Sequence, residues 1–118
     1  MVNNDAVTRA PPAPSWLSRE AKAEWRRVMP GLTKRRILTR DDLGTLENYC
    51  VATGRVRQIE RSIQENGGID MQLVRLQIHV MATARQHAAE LGLTPVSRSR
   101  PTIREEGDDE NFSDLGLS

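Results

Sequence analysis

Residues 40–68, RDDLGTLENYCVATGRVRQIERSIQENGG, carry the reading on which the fold depends. No proline interrupts Arg40 to Asn66, and at about 1.5 Å per residue the span makes a helix about 40 Å long. Tyr49, Ala52, Val56, Ile59 and Ile63 step by three and four, the seam of a helix that packs along its length. Leu43, Leu46 and Cys50 trace a slightly rotated stripe before it. Thr39 and Asp42 stand at capping-box spacing, with the acid one carbon short of the preferred glutamate. Gly67-Gly68 ends the run. Gly44 and Gly54 weaken the helix by up to about 1 kcal/mol each relative to alanine, and mark either a bend or a close crossing.

Beyond the glycine pair, residues 70–92 read DMQLVRLQIHVMATARQHAAELG and predict a second long helix over about Asp70 to Leu91. Val74, Met81, Ala84, Ala88 and Leu91 take the seam positions, with Gln77 breaking the pattern. Ile69, Leu73, Leu76 and Val80 form a second stripe, which broadens the apolar face beyond what one partner helix covers. Gly92, then Pro95, stops the helix. Two long helices joined at Gly67-Gly68 make a helical hairpin. In the other direction, Ser18 is a good N-cap for a short first helix. Leu17, Ala21, Trp25 and Val28 share its inner face, Arg19, Lys22, Arg26 and Arg27 stay wet, and Pro30-Gly31 is expected to stop it. A connector from Gly31 to Leu38 would then hold Lys34, Arg35 and Arg36. The expected domains are a flexible Pro-rich arm over 1–14, a helical oligomerisation and DNA-binding unit over 15–95, and a basic-then-acidic flexible tail over 96–118. Phe112, Leu115 and Leu117 give that tail the makings of a short docking motif.

Aromatic residues make up 3% of the chain and hydrophobic residues 37%, too little for a large self-contained core. Small helical units of this kind complete their core by associating with copies of themselves. Tyr49, Val56, Ile59, Ile63, Leu73, Val80 and Met81 are the residues expected at that interface, and the fold class is all-α, completed by association of identical copies into a homo-oligomer. The single cysteine excludes an internal disulfide and a cysteine-rich zinc site. No apolar run approaches the roughly 20 residues of a membrane span, and Met1 to Ala10 lacks the apolar stretch of a secretory signal. The expectation is a soluble, intracellular protein with no membrane partner.

Net charge of +1 conceals an uneven distribution. All 17 Lys and Arg lie within residues 1–104 against 10 Asp and Glu, a balance of +7, whereas residues 105–118 hold 6 acidic side chains and no basic ones. A basic body with an acidic tail suits a protein that handles nucleic acid; the plainer alternative is a solubilising tail. Lys34, Arg35, Arg36 and Arg40 are the leading candidates for phosphate contacts, followed by Arg98 and Arg100. Arg26 and Arg27 lie only a few residues upstream of the first cluster. Repetition around a symmetric oligomer would multiply such clusters into a belt.

Catalytic motifs are lacking. Neither G-x-x-x-x-G-K-[ST] nor G-x-G-x-x-G occurs, so nucleotide hydrolysis is not expected here. His79 and His87 are eight residues apart, about 12 Å along a helix and too far to share a metal. Cys50 reads as a small buried hydrophobe, and Asp41-Asp42 as helix-start residues. No cofactor or metal is expected. The span from Pro30 to Leu38 is longer than a helix-turn-helix turn, so no base-reading residues are assigned on that pattern.

Pro14-Ser15-Trp16-Leu17-Ser18-Arg19-Glu20-Ala21-Lys22-Ala23-Glu24-Trp25-Arg26-Arg27-Val28 resembles the opening of phage terminase small subunits. Ile37-Leu38-Thr39-Arg40-Asp41-Asp42 is similar to that family's next helix start. Leu91-Gly92-Leu93-Thr94-Pro95-Val96-Ser97-Arg98-Ser99-Arg100 is similar to its closing motif. The likeness covers roughly residues 11–101 and departs at Gly67-Gly68-Ile69-Asp70, where relatives carry an Asn-Pro or His-Pro segment. It implies a ring of identical, non-catalytic subunits in the host cytoplasm that recognises double-stranded viral DNA. The large subunit, with ATPase and nuclease activities, would receive that DNA for packaging. A helix-turn-helix transcription regulator and a scaffold that never touches DNA are the rival readings.

Overall fold

The computed structural model describes residues 9–94 of the chain. Three helices run in order, α1 (Arg19–Arg35), α2 (Leu43–Glu65) and α3 (Met71–Glu90), with a single 3₁₀ turn at Arg40–Asp42 leading into α2. The architecture is all-helical, as the hydrophobic spacing predicts. Arg98, Arg100 and the acidic stretch from residue 105 lie outside the described residues.

Helix α1 opens as expected, the Ser18 hydroxyl accepting from the Ala21 N–H at 3.1 Å. Its end is a correction. Pro30 does not stop the helix, which continues to Arg35 and closes on Arg36 in the left-handed conformation at φ 55°. A proline inside a helix costs one backbone bond and crowds the preceding turn. Here Met29 and Leu32 straddle it and are both buried in the core, and the Thr33 hydroxyl donates back to the Met29 carbonyl at 3.0 Å. Burial of that last turn outweighs the local penalty. The expected connector is thereby shortened, and Lys34 and Arg35 stand on the helix.

Thr39 and Asp42 do make a cap: the Asp42 carboxylate accepts from the Thr39 N–H at 2.9 Å. The expected helix start at Arg40 is taken by the 3₁₀ turn, and α2 proper begins at Leu43. At the hairpin, Gly67 and Gly68 adopt φ of 76° and 80°, and the Gly68 N–H reaches the Ile63 carbonyl at 2.8 Å. Asp70 caps α3 by accepting from the Leu73 N–H at 3.1 Å. The Leu93 N–H donates to the Ala88 carbonyl at 2.8 Å, the Schellman closure anticipated at Gly92.

Helix α2 is central, with α1 and α3 packed against it and not against each other. The core gathers Leu17, Ala21, Trp25, Val28, Met29 and Leu32 around Leu38, Leu46, Tyr49, Cys50 and Leu91. It therefore sits where α1 crosses the first half of α2 beside the end of α3. Toward Gly67 the hairpin thins, with Ile63 the last core-facing hydrophobe. The radius of gyration is 16.6 Å, against about 13 Å for a compact domain of this size. Such a slab leaves much apolar surface uncovered.

The two helical glycines have different causes. A Cβ on Gly54 would lie 2.9 Å from the backbone N of Ala21 and 3.2 Å from its Cα, whereas one on Gly44 would meet nothing within 4 Å. Gly54 is thus the close-crossing point of α1 and α2. Gly44→Ala is expected to stabilise the protein by up to about 1 kcal/mol through helix propensity. Gly54→Ala is expected to lose about 1–2 kcal/mol, because overpacking against backbone exceeds that gain. Urea denaturation at one fixed concentration checks both; midpoints moving in the same direction would show that the crossing is not tight.

Candidate nucleic-acid interface

The four leading cations fall together at one end of the molecule, where α1 hands over to α2. Lys34 and Arg35 occupy the last turn of α1, Arg36 is its cap, and Arg40 opens the 3₁₀ turn. All four are exposed. Their commitments differ. The Arg35 guanidinium donates to the Gly92 carbonyl at 3.0 Å and to the Gly31 carbonyl at 3.3 Å, stapling the end of α1 to the segment after α3. Lys34, Arg36 and Arg40 have no ion-pair partner among the described residues. Arg36 also carries a conformational cost, since left-handed backbone is unfavourable for a residue with a Cβ.

Arg26 is exposed and unpaired, but Arg27 is not available in the same sense. It forks onto Glu24, Nε to Oε1 at 2.9 Å and Nη2 to Oε2 at 2.6 Å. Glu24 is fully buried. It further accepts from Arg57 Nη2 at 2.8 Å and from the Tyr49 hydroxyl at 2.5 Å. Burial pushes the Glu24 carboxyl up, yet the hydrogen bonds from Arg27, Tyr49 and Arg57 together outweigh it and hold the group below the ordinary carboxylate range. Burial first, and then the bond to Glu24, raises the Tyr49 hydroxyl. One turn earlier on α1, Glu20 pairs with Arg61 and accepts from Gln58. Two carboxylates of α1 thus clamp three arginines, Arg27 of α1 itself and Arg57 and Arg61 of α2, into structural work.

The sequence reading missed Glu24, although a signal exists. Ala21, Glu24 and Val28 are spaced by three and four, so the acid lies on the apolar face of α1 and needs a buried partner. Gln77 is similar: expected to break the seam, it is buried and donates to Glu60 at 2.8 Å. Cys50 is buried, and burial pushes its thiol up to about 12, which suits a core residue and not a nucleophile. His87 sits 3.3 Å from Glu90. No group of three or more potential metal ligands occurs among the described residues.

The residues expected at an oligomer interface are divided by the structure. Tyr49 and Ile63 are buried within the chain, Val56, Ile59, Leu73 and Val80 are half-buried, and Met81 is exposed. Helix α3 carries a further apolar flank at spacings of three and four: Met71, Val74, Ile78 and Met81. Met71 is 56% exposed, Ile78 60% and Met81 44%. Val74 and Met81 belong to the seam read from the sequence, whereas Met71 and Ile78, which widen it outward, lay on neither stripe.

The family described as "Phage terminase, small subunit" matches residues 21–108, most of the chain and all of the helical hairpin. The chain belongs to the phage terminase small-subunit family. No curated protein and no solved structure matches it. Membership connects this terminase small subunit to phage DNA packaging. The match begins inside α1 and includes every residue of the α1–α2 junction. No helix among the described residues is long and apolar enough to cross a membrane.

Proposed function

We propose that the chain is the non-catalytic DNA-recognition subunit of a viral terminase, acting in the host-cell cytoplasm. It binds double-stranded viral DNA and hands it to the large subunit, which cuts and pumps it into the capsid. Copies of the chain associate through the exposed flank of α3 into a ring, the α1–α2 junction of each contributing to a basic belt. Lys34, Arg36 and Arg40 make the phosphate contacts, assisted by Arg26 and by Arg98 and Arg100. Arg35 and Arg27 serve chiefly to hold the scaffold.

The observation that carries this reading is the trio of exposed, unpaired cations at the α1–α2 junction, one of them held at a backbone conformation that glycine would fill more cheaply. Each cation that meets a phosphate releases condensed counterions. Lys34→Glu/Arg36→Glu/Arg40→Glu is therefore expected to weaken duplex binding by at least about 100-fold at moderate salt. The slope of log K against log salt should fall by roughly 0.9 per lost contact. Arg36→Gly provides an internal separation of stability from binding. It should raise stability by about 1 kcal/mol by relieving the left-handed strain, yet weaken DNA binding and shrink the salt slope. Duplex retardation at two salt concentrations, alongside thermal unfolding, reads both effects. Unchanged retardation in the triple variant would leave these cations a solvated face and favour a scaffold that never touches DNA.

A further inference from the structure

The residues before α1 build a groove with α1 that the DNA reading leaves unused. The Trp25 indole N–H donates to the Pro11 carbonyl at 3.0 Å, and Ala13 packs against the core. Pro11 and Pro12 form one wall, Trp25, Met29 and Pro30 the other, around a cavity of about 470 Å³ open to solvent. Lys22 and Arg26 stand on its rim, neither in an ion pair among the described residues. An apolar trough with a cationic edge fits a short acidic peptide bearing large hydrophobes.

This chain contains such a segment. Residues 105–118 hold 6 carboxylates and no basic side chain, interleaved with Phe112, Leu115 and Leu117. Its starting point is near the groove. Arg35 bonds the Gly92 carbonyl, so the chain leaves α3 beside the end of α1, and Pro30 lies only five residues back along that helix, about 8 Å. Phe112 follows Thr94 by 18 residues, a reach of up to about 60 Å against a longest molecular dimension of 51 Å. We propose that residues 105–118 dock in the groove of their own copy, Phe112 and the leucines against Pro11, Pro12 and Pro30 over a floor formed by the covered edges of Trp25 and Met29, the carboxylates against Lys22 and Arg26. Docking would also cover Arg26, which the DNA reading counts among the phosphate contacts. That consequence rests on the DNA reading, whereas the docking itself does not.

The chain has two tryptophans, Trp25 in the groove and the exposed Trp16, so fluorine NMR of the full chain labelled with 5-fluorotryptophan gives a two-signal test without DNA. Phe112→Ala/Leu115→Ala/Leu117→Ala should move the Trp25 signal and leave the Trp16 signal in place. Lys22→Glu/Arg26→Glu alters the Trp25 surroundings directly, so the informative comparison is on that background: there the tail substitutions should produce no further shift. A Trp25 signal indifferent to the tail substitutions in the otherwise unaltered chain overturns the proposal. So does a tail effect that persists undiminished after the charge reversal. Labelled tail-substituted chains co-refolded with excess unlabelled unaltered chain should keep the displaced signal. Recovery of the original position would put the tail in a neighbour's groove and overturn the same-copy assignment.

Discussion

Ile78→Glu/Met81→Glu is expected to convert the proposed ring into monomers while leaving the helices intact. Both side chains lie on the uncovered flank of α3, 60% and 44% exposed in the single chain. The flank that packs on α2 is a different one, centred on Gln77 and on Leu91 just past the helix end. Burying an exposed aliphatic side chain at a contact contributes about 1.5–3 kcal/mol when complete. Two lost contacts, with carboxylates left in an apolar setting, amount to about 4 kcal/mol. That is roughly a 1,000-fold weaker association per interface. Sedimentation at micromolar concentration should show the change directly, with circular dichroism unaltered. Duplex affinity should fall in parallel, since separated copies no longer pool their Lys34, Arg36 and Arg40 side chains. An intact assembly in this variant would place the interface elsewhere, on the half-buried Val56, Ile59 or Val80.

Glu24→Ala carries the largest expected cost within one chain. The substitution removes the acceptor for Arg27, Arg57 and Tyr49 at once. The two arginine side chains are 64% and 44% exposed, so water re-solvates them and their share is modest. The Tyr49 hydroxyl is buried and left without its acceptor, at about 1–3 kcal/mol. With the packing defect, a loss of about 2–4 kcal/mol is expected, a large part of the stability of a small domain. Glu24→Gln keeps an acceptor and should lose about half as much. The pH dependence has a definite sign. The folded carboxyl lies below its ordinary value, so its contribution is present above the unfolded value near about 4.3 and fades as pH falls through the lower folded value. The unsubstituted chain should therefore lose stability on acidification below about pH 4. Glu24→Ala should show a shallower loss across that window, with Glu20 and Glu60, also depressed by their hydrogen bonds to Arg61 and Gln77, supplying the remainder. Equal slopes in urea titrations at pH 3 to 6 would mean that Glu24 is not the group responsible.

The helix starts and most of the helix stops were legible because they are settled within a few residues. Ser18, Asp70, Gly67-Gly68 and Gly92 each act through a hydrogen bond or a φ value in their own turn. The one misplaced stop, Pro30, shows the limit of that rule. Its local penalty is real, but the burial of Met29 and Leu32 is decided by residues of other elements. Among the cations, the Lys34–Arg40 cluster was visible as a charge run, while the difference between Arg35 and its neighbours was not. Gly92, the acceptor that separates them, lies 57 residues along the chain.

The sequence alone determined three amphipathic helices, their caps apart from the end of α1, the hairpin and the uneven charge, since periodicity and capping act over one or two turns. Tertiary structure alone decided that Gly54 is a crossing and Gly44 is not, and that Glu24 gathers Arg27, Arg57 and Tyr49. It also decided which of the apolar stripes of α3 stays uncovered in the single chain. Those outcomes depend on how α1 and α3 compete for the surface of α2. Distant side chains meet there at ångström separations that spacing along a chain does not encode.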